Sequence, residues 1–193
     1  MNRTSMVRRE TAETVVELEL TLDGEGLHTI ETPYPVFNHL LGSMIRFSGF
    51  NLRLKARNMV ECDEHHLIED VAIALGEALR RALGEKKGVN RFGYSIVPMD
   101  EVLACVSLDL SGRPFFSHNM RFNQTMIGNM GTSMIPHFFR SLSNSSGSTL
   151  HILIFRNGDP HHLAEAVFKA AGLAFKQAVI VTGSTIPSEK GVL

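Results

Sequence analysis

The chain has 193 residues, 44% of them hydrophobic and 20% charged, with a formal net charge of −1 and a pI near 6.8. That balance leaves no global electrostatic reason to bind nucleic acid or an anionic membrane, and no stretch approaches the ~18 apolar residues of a membrane span. The opening MNRTSMVRRE lacks an apolar leader core, and Cys62 and Cys105 are too few for a disulfide framework, so a cytoplasmic protein acting on small molecules is expected.

In chain order, ETVVELELTLDG alternates apolar and polar positions and predicts a strand over 14–22 that turns at Gly24 and Gly26. An apolar segment carrying His39 follows with a helical pattern, ended by Gly49, and a second strand is predicted over 50–56. Next comes HHLIEDVAIALGEALRRAL, in which Val71, Ala74, Leu75, Ala78 and Leu79 recur at three and four residues, the stripe of a core-facing helix. The same parts then return. EVLACVSLDLSG predicts a strand over 102–110 ending at Gly112. MIPHFFRSLSNSSG carries His137 and ends at Gly147, a strand is predicted over 149–155, and HHLAEAVFKAAGLAFKQAV closes the series. Glu13 matches Glu101, His39 matches His137, Val71 matches Val167 and Gly76 matches Gly172. The expectation is an α+β fold of internally duplicated half-domains over about 8–90 and 91–181. Each half is a small mostly antiparallel sheet with helices on one face, and both pack into one compact body over 1–193 with a tail at 182–193.

The repeated parts carry the chemistry. His65-His66-x-x-Glu69 and His161-His162-x-x-Glu165 each open a predicted helix. On a helix the first His and the Glu four residues on share a face, while the second His is turned about 100° away and is free for another ion. One His pair at a helix start commonly just faces solvent, but two matching pairs point to metal. Six of the nine His fall at repeated positions: His39, His65, His66, His137, His161 and His162. With Glu69 and Glu165 they make eight ligands, enough for two ions of three His and one carboxylate each. A shell of nitrogen and oxygen suits Mn²⁺, Fe²⁺ or Zn²⁺, and a high coordination number favours Mn²⁺. Cys62, three residues before the first motif, is a candidate soft ligand that this set does not need. His28, His118 and His151 have no repeat partner and read as structural or surface groups.

These motifs, with RETAET at 9–14, LDGEG at 22–26, RFG at 91–93, VPMDE at 97–101, LDLSGRP at 108–114, FFRSL at 138–142, TLHI at 149–152, EAVFKA at 165–170 and the terminal KGVL, make the chain resemble the imidazoleglycerol-phosphate dehydratases of histidine biosynthesis. The resemblance implies a duplicated fold of the ribosomal protein S5 domain 2-like kind. It also implies two Mn²⁺ per active site and a homo-oligomeric shell of twenty-four subunits with active sites at their contacts. The family's ligands fall on the same eight residues, with His66 and His162 each reaching the other metal, across a subunit boundary. The implied reaction is a hydro-lyase step, dehydration of imidazoleglycerol phosphate to imidazoleacetol phosphate and water through a metal-bound imidazolate and a diazafulvene. Glu13 falls on the substrate-contacting, acid/base position, and Arg91, Arg113, Ser188 and Lys190 on the phosphate grip. Glu101 reads either as a partner for a ligand His or as a strand-end carboxylate.

Departures from the family pattern occur at Asn38, Phe47, Glu189 and 157–159, none of them a ligand. Two other readings stay open: a two-metal enzyme on a different phosphorylated substrate, and a non-catalytic shell stapled by metal. Retention of Glu13, Arg91, Arg113 and Lys190 argues against the second, because a staple has no use for a phosphate clamp.

Overall fold

The computed structural model describes residues 3–61, 63–191 and 193; Cys62, and with it the soft-ligand reading, lies outside the described residues. The first half runs β1 (Thr4–Glu10), β2 (Thr14–Thr21), β3 (His28–Glu31), α1 (Pro35–Ser48), β4 (Asn51–Asn58) and α2 (Glu64–Leu83). The second runs β5 (Phe92–Met99), β6 (Val102–Asp109), β7 (Phe115–His118), a small β8 (Met126–Ile127) and β9 (Met130–Gly131) hairpin, α3 (Met134–Ser146), β10 (Thr149–Arg156) and α4 (Pro160–Val179). Their sheets are ordered β1-β2-β4-β3 and β5-β6-β10-β7. In each, three strands are antiparallel and the fourth pairs in parallel with its neighbour. The duplication expected from the sequence is thus a duplication of topology.

Helices cover one face of each sheet. α2 lies on β1 and β2, α4 lies on β5 and β6, and each long helix packs against the short helix of the other half, α2 with α3 and α4 with α1. This exchange welds the halves into one core. Phe37 of α1, Phe138 and Phe139 of α3 and Phe168 of α4 are buried, with ring centroids 5.6 Å apart for Phe37 and Phe138 and 5.3 Å for Phe138 and Phe168. Gly172 is the device for the α4–α1 approach: a Cβ there would sit 2.4 Å from the Met44 carbonyl oxygen. Gly76 does the same for α2 and α3, where a Cβ would meet the Leu142 carbonyl oxygen at 2.8 Å.

The four predicted strands match β2, β4, β6 and β10 within two residues at each end, and these are the inner strands of the sheets. β1, β3, β5 and β7 were not predicted. β5 shows why. Its large residues Phe92, Tyr94 and Ile96 face outward, while Gly93 faces α4, where a Cβ would lie 1.9 Å from the Ala174 carbonyl oxygen. Pro98 is tolerated because β5 is an edge strand. The apolar alternation therefore runs opposite to the usual inward pattern.

Candidate functional site

Both long helices begin with an aspartate cap that fixes the His pair. The Asp63 carboxylate accepts from the His65 backbone N–H at 3.0 Å, and Asp159 accepts from those of His161 at 2.8 Å and His162 at 3.3 Å. Three clusters of potential ligand atoms lie among the described residues, each within 4.8 Å: His65, Glu69 and His137; His39, His161 and Glu165; and, at the β5–β6 turn, Asp100, Glu101 and His162. The first two join a long helix to the opposite half's short helix. His137 Nε2 lies 3.6 Å from Glu69, and His39 Nε2 lies 3.5 Å from Glu165. His137 Nε2 is buried without a hydrogen-bond partner. Burial works to raise the Glu165 carboxyl, but Lys169, 2.7 Å away, and His39 outweigh it and hold the group below its ordinary range.

The second His of each pair points elsewhere, as the 100° rotation requires. His66 Nδ1 meets Glu13 at 3.2 Å, and His162 Nδ1 meets Glu101 at 3.1 Å. Glu13 and Glu101 occupy equivalent turns, between β1 and β2 and between β5 and β6. The Glu13 turn is moored to α2: Thr14 Oγ1 donates to Asp70, whose other oxygen accepts from Arg9 Nε at 2.6 Å.

Glu101 is a partner of His162 rather than a free strand end. Its carboxylate accepts from the Asp159 backbone N–H at 2.6 Å, and this bond, with its own backbone N–H and His162, brings its pKa down to about 2. A depressed carboxylate stabilises the fold above its ordinary value of 4.5, and that contribution is lost as pH falls towards 2. Thermal melts of Glu101→Gln should therefore vary less with pH between 4.5 and 2 than those of the unaltered chain. Equal slopes would contradict the assignment.

Arg91, Arg113 and the tail gather at the opposite end of the long helices. Arg91 has a left-handed backbone, φ 71°, and its N–H donates to the Ala178 carbonyl near the end of α4. Its side chain forks onto Asp109, Nε to Oδ1 at 2.7 Å and Nη2 to Oδ2 at 3.0 Å, and Nη1 donates to the Pro187 carbonyl at 2.9 Å. Arg113 approaches the same carboxylate at 3.9 Å. The tail is held by Gly88, whose N–H donates to the Thr185 carbonyl at 2.8 Å, and the Ser188 hydroxyl accepts from the Lys190 N–H at 3.2 Å.

Among the departures, Asn38 turns towards Thr32, accepting from its hydroxyl at 2.7 Å, and Phe47 lies under Lys169, whose Nζ is 5.8 Å from the ring centroid. Asp159 of 157–159 is the α4 cap. Among the described residues Glu189 has no contact that explains it. Asp70, Asp109 and Lys169 were not singled out from the sequence. Only Asp70 and Lys169 carried a signal, as charges on otherwise apolar helix stretches.

The family model for imidazoleglycerol-phosphate dehydratase matches residues 32–175. The chain is 49% identical, over 191 residues, to the histidine biosynthesis bifunctional protein HisB of Legionella pneumophila, covering 99% of this chain and 54% of that protein. It thus spans about half the length of that relative. It is 44% identical to the imidazoleglycerol-phosphate dehydratase of Caldivirga maquilingensis over all of both chains. Among solved structures, the imidazoleglycerol-phosphate dehydratase of Staphylococcus aureus superposes with a TM-score of 0.84 at 31% identity, covering 93% of this chain and 99% of that one. The Pyrococcus furiosus structure gives 0.83 at 33%, covering 97% and 100%. Motifs, duplicated topology and comparisons converge: the chain belongs to the imidazoleglycerol-phosphate dehydratase family.

Proposed function

We propose that the chain dehydrates imidazoleglycerol phosphate to imidazoleacetol phosphate in histidine biosynthesis, in the cytoplasm, with two Mn²⁺ per active site. The observation that carries the metal reading is the orphaned, buried Nε2 of His137 beside Glu69 and His65. A buried ring nitrogen without a partner is costly in a folded protein, and a cation beside a carboxylate accounts for it. His65, Glu69 and His137 would hold one ion, and His39, His161 and Glu165 the other. His66 and His162, turned away from these clusters, would serve ions bound chiefly by another copy. Among the described residues no helix is long and apolar enough to cross a membrane.

When bound, the ions supply Lewis-acid charge and a template for the imidazole ring and a hydroxyl. The chain's own groups do the rest. Glu13, at a turn moored by Asp70 and Thr14, moves the proton between substrate carbon and departing oxygen. Arg91 and Arg113, with Ser188 and Lys190, grip the phosphate by charge-assisted hydrogen bonds. Lys169 helps hold the Glu165 carboxyl below its ordinary range.

One chain does not bring these groups together. Arg91 sits against Ala178, and His161 opens the same helix seventeen residues earlier, so clamp and ligands are ~25 Å apart at 1.5 Å per residue. A three-carbon glycerol phosphate chain cannot bridge that gap. The active site is therefore built from more than one copy, in keeping with a twenty-four-subunit homo-oligomer. The outer face of the second sheet, exposing Phe92, Tyr94, Ile96, Leu153 and Phe155, supports such contacts; the first sheet's outer face is lined instead by charged Arg8, Glu17, Arg53 and Lys55.

The test is steady-state dehydration by metal-stripped protein with and without Mn²⁺. Activity should return with the ion. Stoichiometric metal binding without turnover would sink the dehydratase reading and leave another phosphorylated substrate or a structural metal.

A further inference from the structure

The Arg91 fork has an internal counterpart. Arg3 occupies the equivalent place in the first half: its carbonyl accepts from the Leu22 N–H at 2.9 Å, as the Arg91 carbonyl accepts from Leu110 at 3.1 Å. Arg3 also forks onto a carboxylate, with Nε 3.0 Å and Nη2 2.5 Å from Asp23, and its Nη1 donates to the Val179 carbonyl at 2.7 Å. An arginine forked onto an aspartate thus occurs in both halves, but the carboxylates are not repeat equivalents: Asp23 directly precedes Gly24, whereas Asp109 lies three residues before Gly112, at the position Thr21 holds in the first half. The surroundings differ. Where the second half has Arg113 after Gly112, the first has Glu25 after Gly24. Beside the second fork lies Lys86, from the loop after α2, which is buried, with Nζ donating to the Leu110 carbonyl at 2.9 Å.

The second fork is therefore one carboxylate among three cations, Arg91, Arg113 and Lys86, and the excess of positive charge suits an incoming dianion. Three of the five Arg91 N–H groups are committed, to Asp109 and Pro187, and two remain for an anion. The guanidinium also lies over the Phe92 ring, 4.7 Å from its centroid. Arg91 has little freedom left, and through Pro187 it fixes the segment bearing Ser188 and Lys190.

We infer that Asp109 is the positioning residue of this anion clamp: it orients Arg91 and, through Arg91, the tail, while Lys86 and Arg113 offset its charge so that the clamp still attracts phosphate. This rests on the phosphate-binding part of the function proposed above. Asp109 need not touch the substrate.

The test compares Asp109→Asn with Asp23→Asn in the full Mn²⁺-loaded protein. For Asp109→Asn, KM for imidazoleglycerol phosphate and the Kd for inorganic phosphate, by titration calorimetry, should both rise about tenfold or more, with kcat within about twofold. Asp23→Asn breaks the first-half arginine fork and should leave both constants near those of the parent, whatever it does to Tm. Unchanged phosphate affinity in Asp109→Asn, or equal weakening in both variants, would overturn the inference by making the fork purely structural. If Asp109→Asn does not fold, Asp109→Glu, which keeps the charge but displaces the fork, is measured in the same way and should still raise the Kd for phosphate above that of Asp23→Asn; parent-like affinity would overturn the inference. The calorimetry needs no turnover. A parent that binds phosphate and loses it in Asp109→Asn, yet never dehydrates the substrate, would remove the dehydratase reading and keep the clamp.

Discussion

Glu165→Gln should lower dehydration by about a thousandfold or more and leave the chain folded, because an ion acting as Lewis acid supplies several kcal/mol to the barrier and each 1.36 kcal/mol is tenfold in rate. Glu165 is the carboxylate of the cluster with His39 and His161, and its side chain is 12% exposed, so water replaces little of what it provides. An amide keeps the shape but not the charge. Loss of that charge also leaves the Lys169 ammonium, 2.7 Å from the carboxylate, directly beside an incoming cation. Bound Mn²⁺ per chain, measured by elemental analysis after dialysis, should fall by the share belonging to this cluster. Glu69→Gln should be milder for metal retention, because among the described residues no lysine lies against the Glu69 cluster. Parent-like turnover with full metal content in Glu165→Gln would remove this cluster from the mechanism.

The sequence made the candidate ligand pairs legible because the helix period converts spacing into geometry: His65 and Glu69, or His161 and Glu165, must share a face. The partners across the halves were less legible. Repetition equates His39 with His137, but only the packing of α1 on α4 and α3 on α2 assigns His39 to the Glu165 cluster and His137 to the Glu69 cluster. The inner strands were readable from alternation, whereas β5 was not, since its small Gly93 faces the helix and its aromatic residues face out. Asp109 could not have been singled out by spacing. Its proposed role comes from Arg91, on a different strand end, a contact made through space.

Two inactive variants should restore one another. Arg91→Ala takes one arginine from the proposed phosphate clamp and Glu165→Gln one carboxylate from a proposed ion cluster, and on one chain the two lie ~25 Å apart along α4. If an active site takes its clamp from one copy and its ligands from another, a mixed assembly contains some sites with an intact clamp facing intact ligands. Co-expressed or jointly refolded variants should then show activity well above the sum of the two parents, and a single Arg91→Ala, Glu165→Gln chain mixed with parent should poison sites in more than one neighbour. Closed symmetric assembly makes the arrangement recur at every equivalent contact, so recovery should rise and then fall with mixing ratio and peak near equal amounts. Metal-stripped protein should lose both the assembly and the complementation, since ligands shared between copies tie ion binding to association. A mixture no more active than its parents, in assemblies shown by native mass spectrometry to contain both chains, would place clamp and ions in one chain's site and require a fold change that brings the two ends of α4 together.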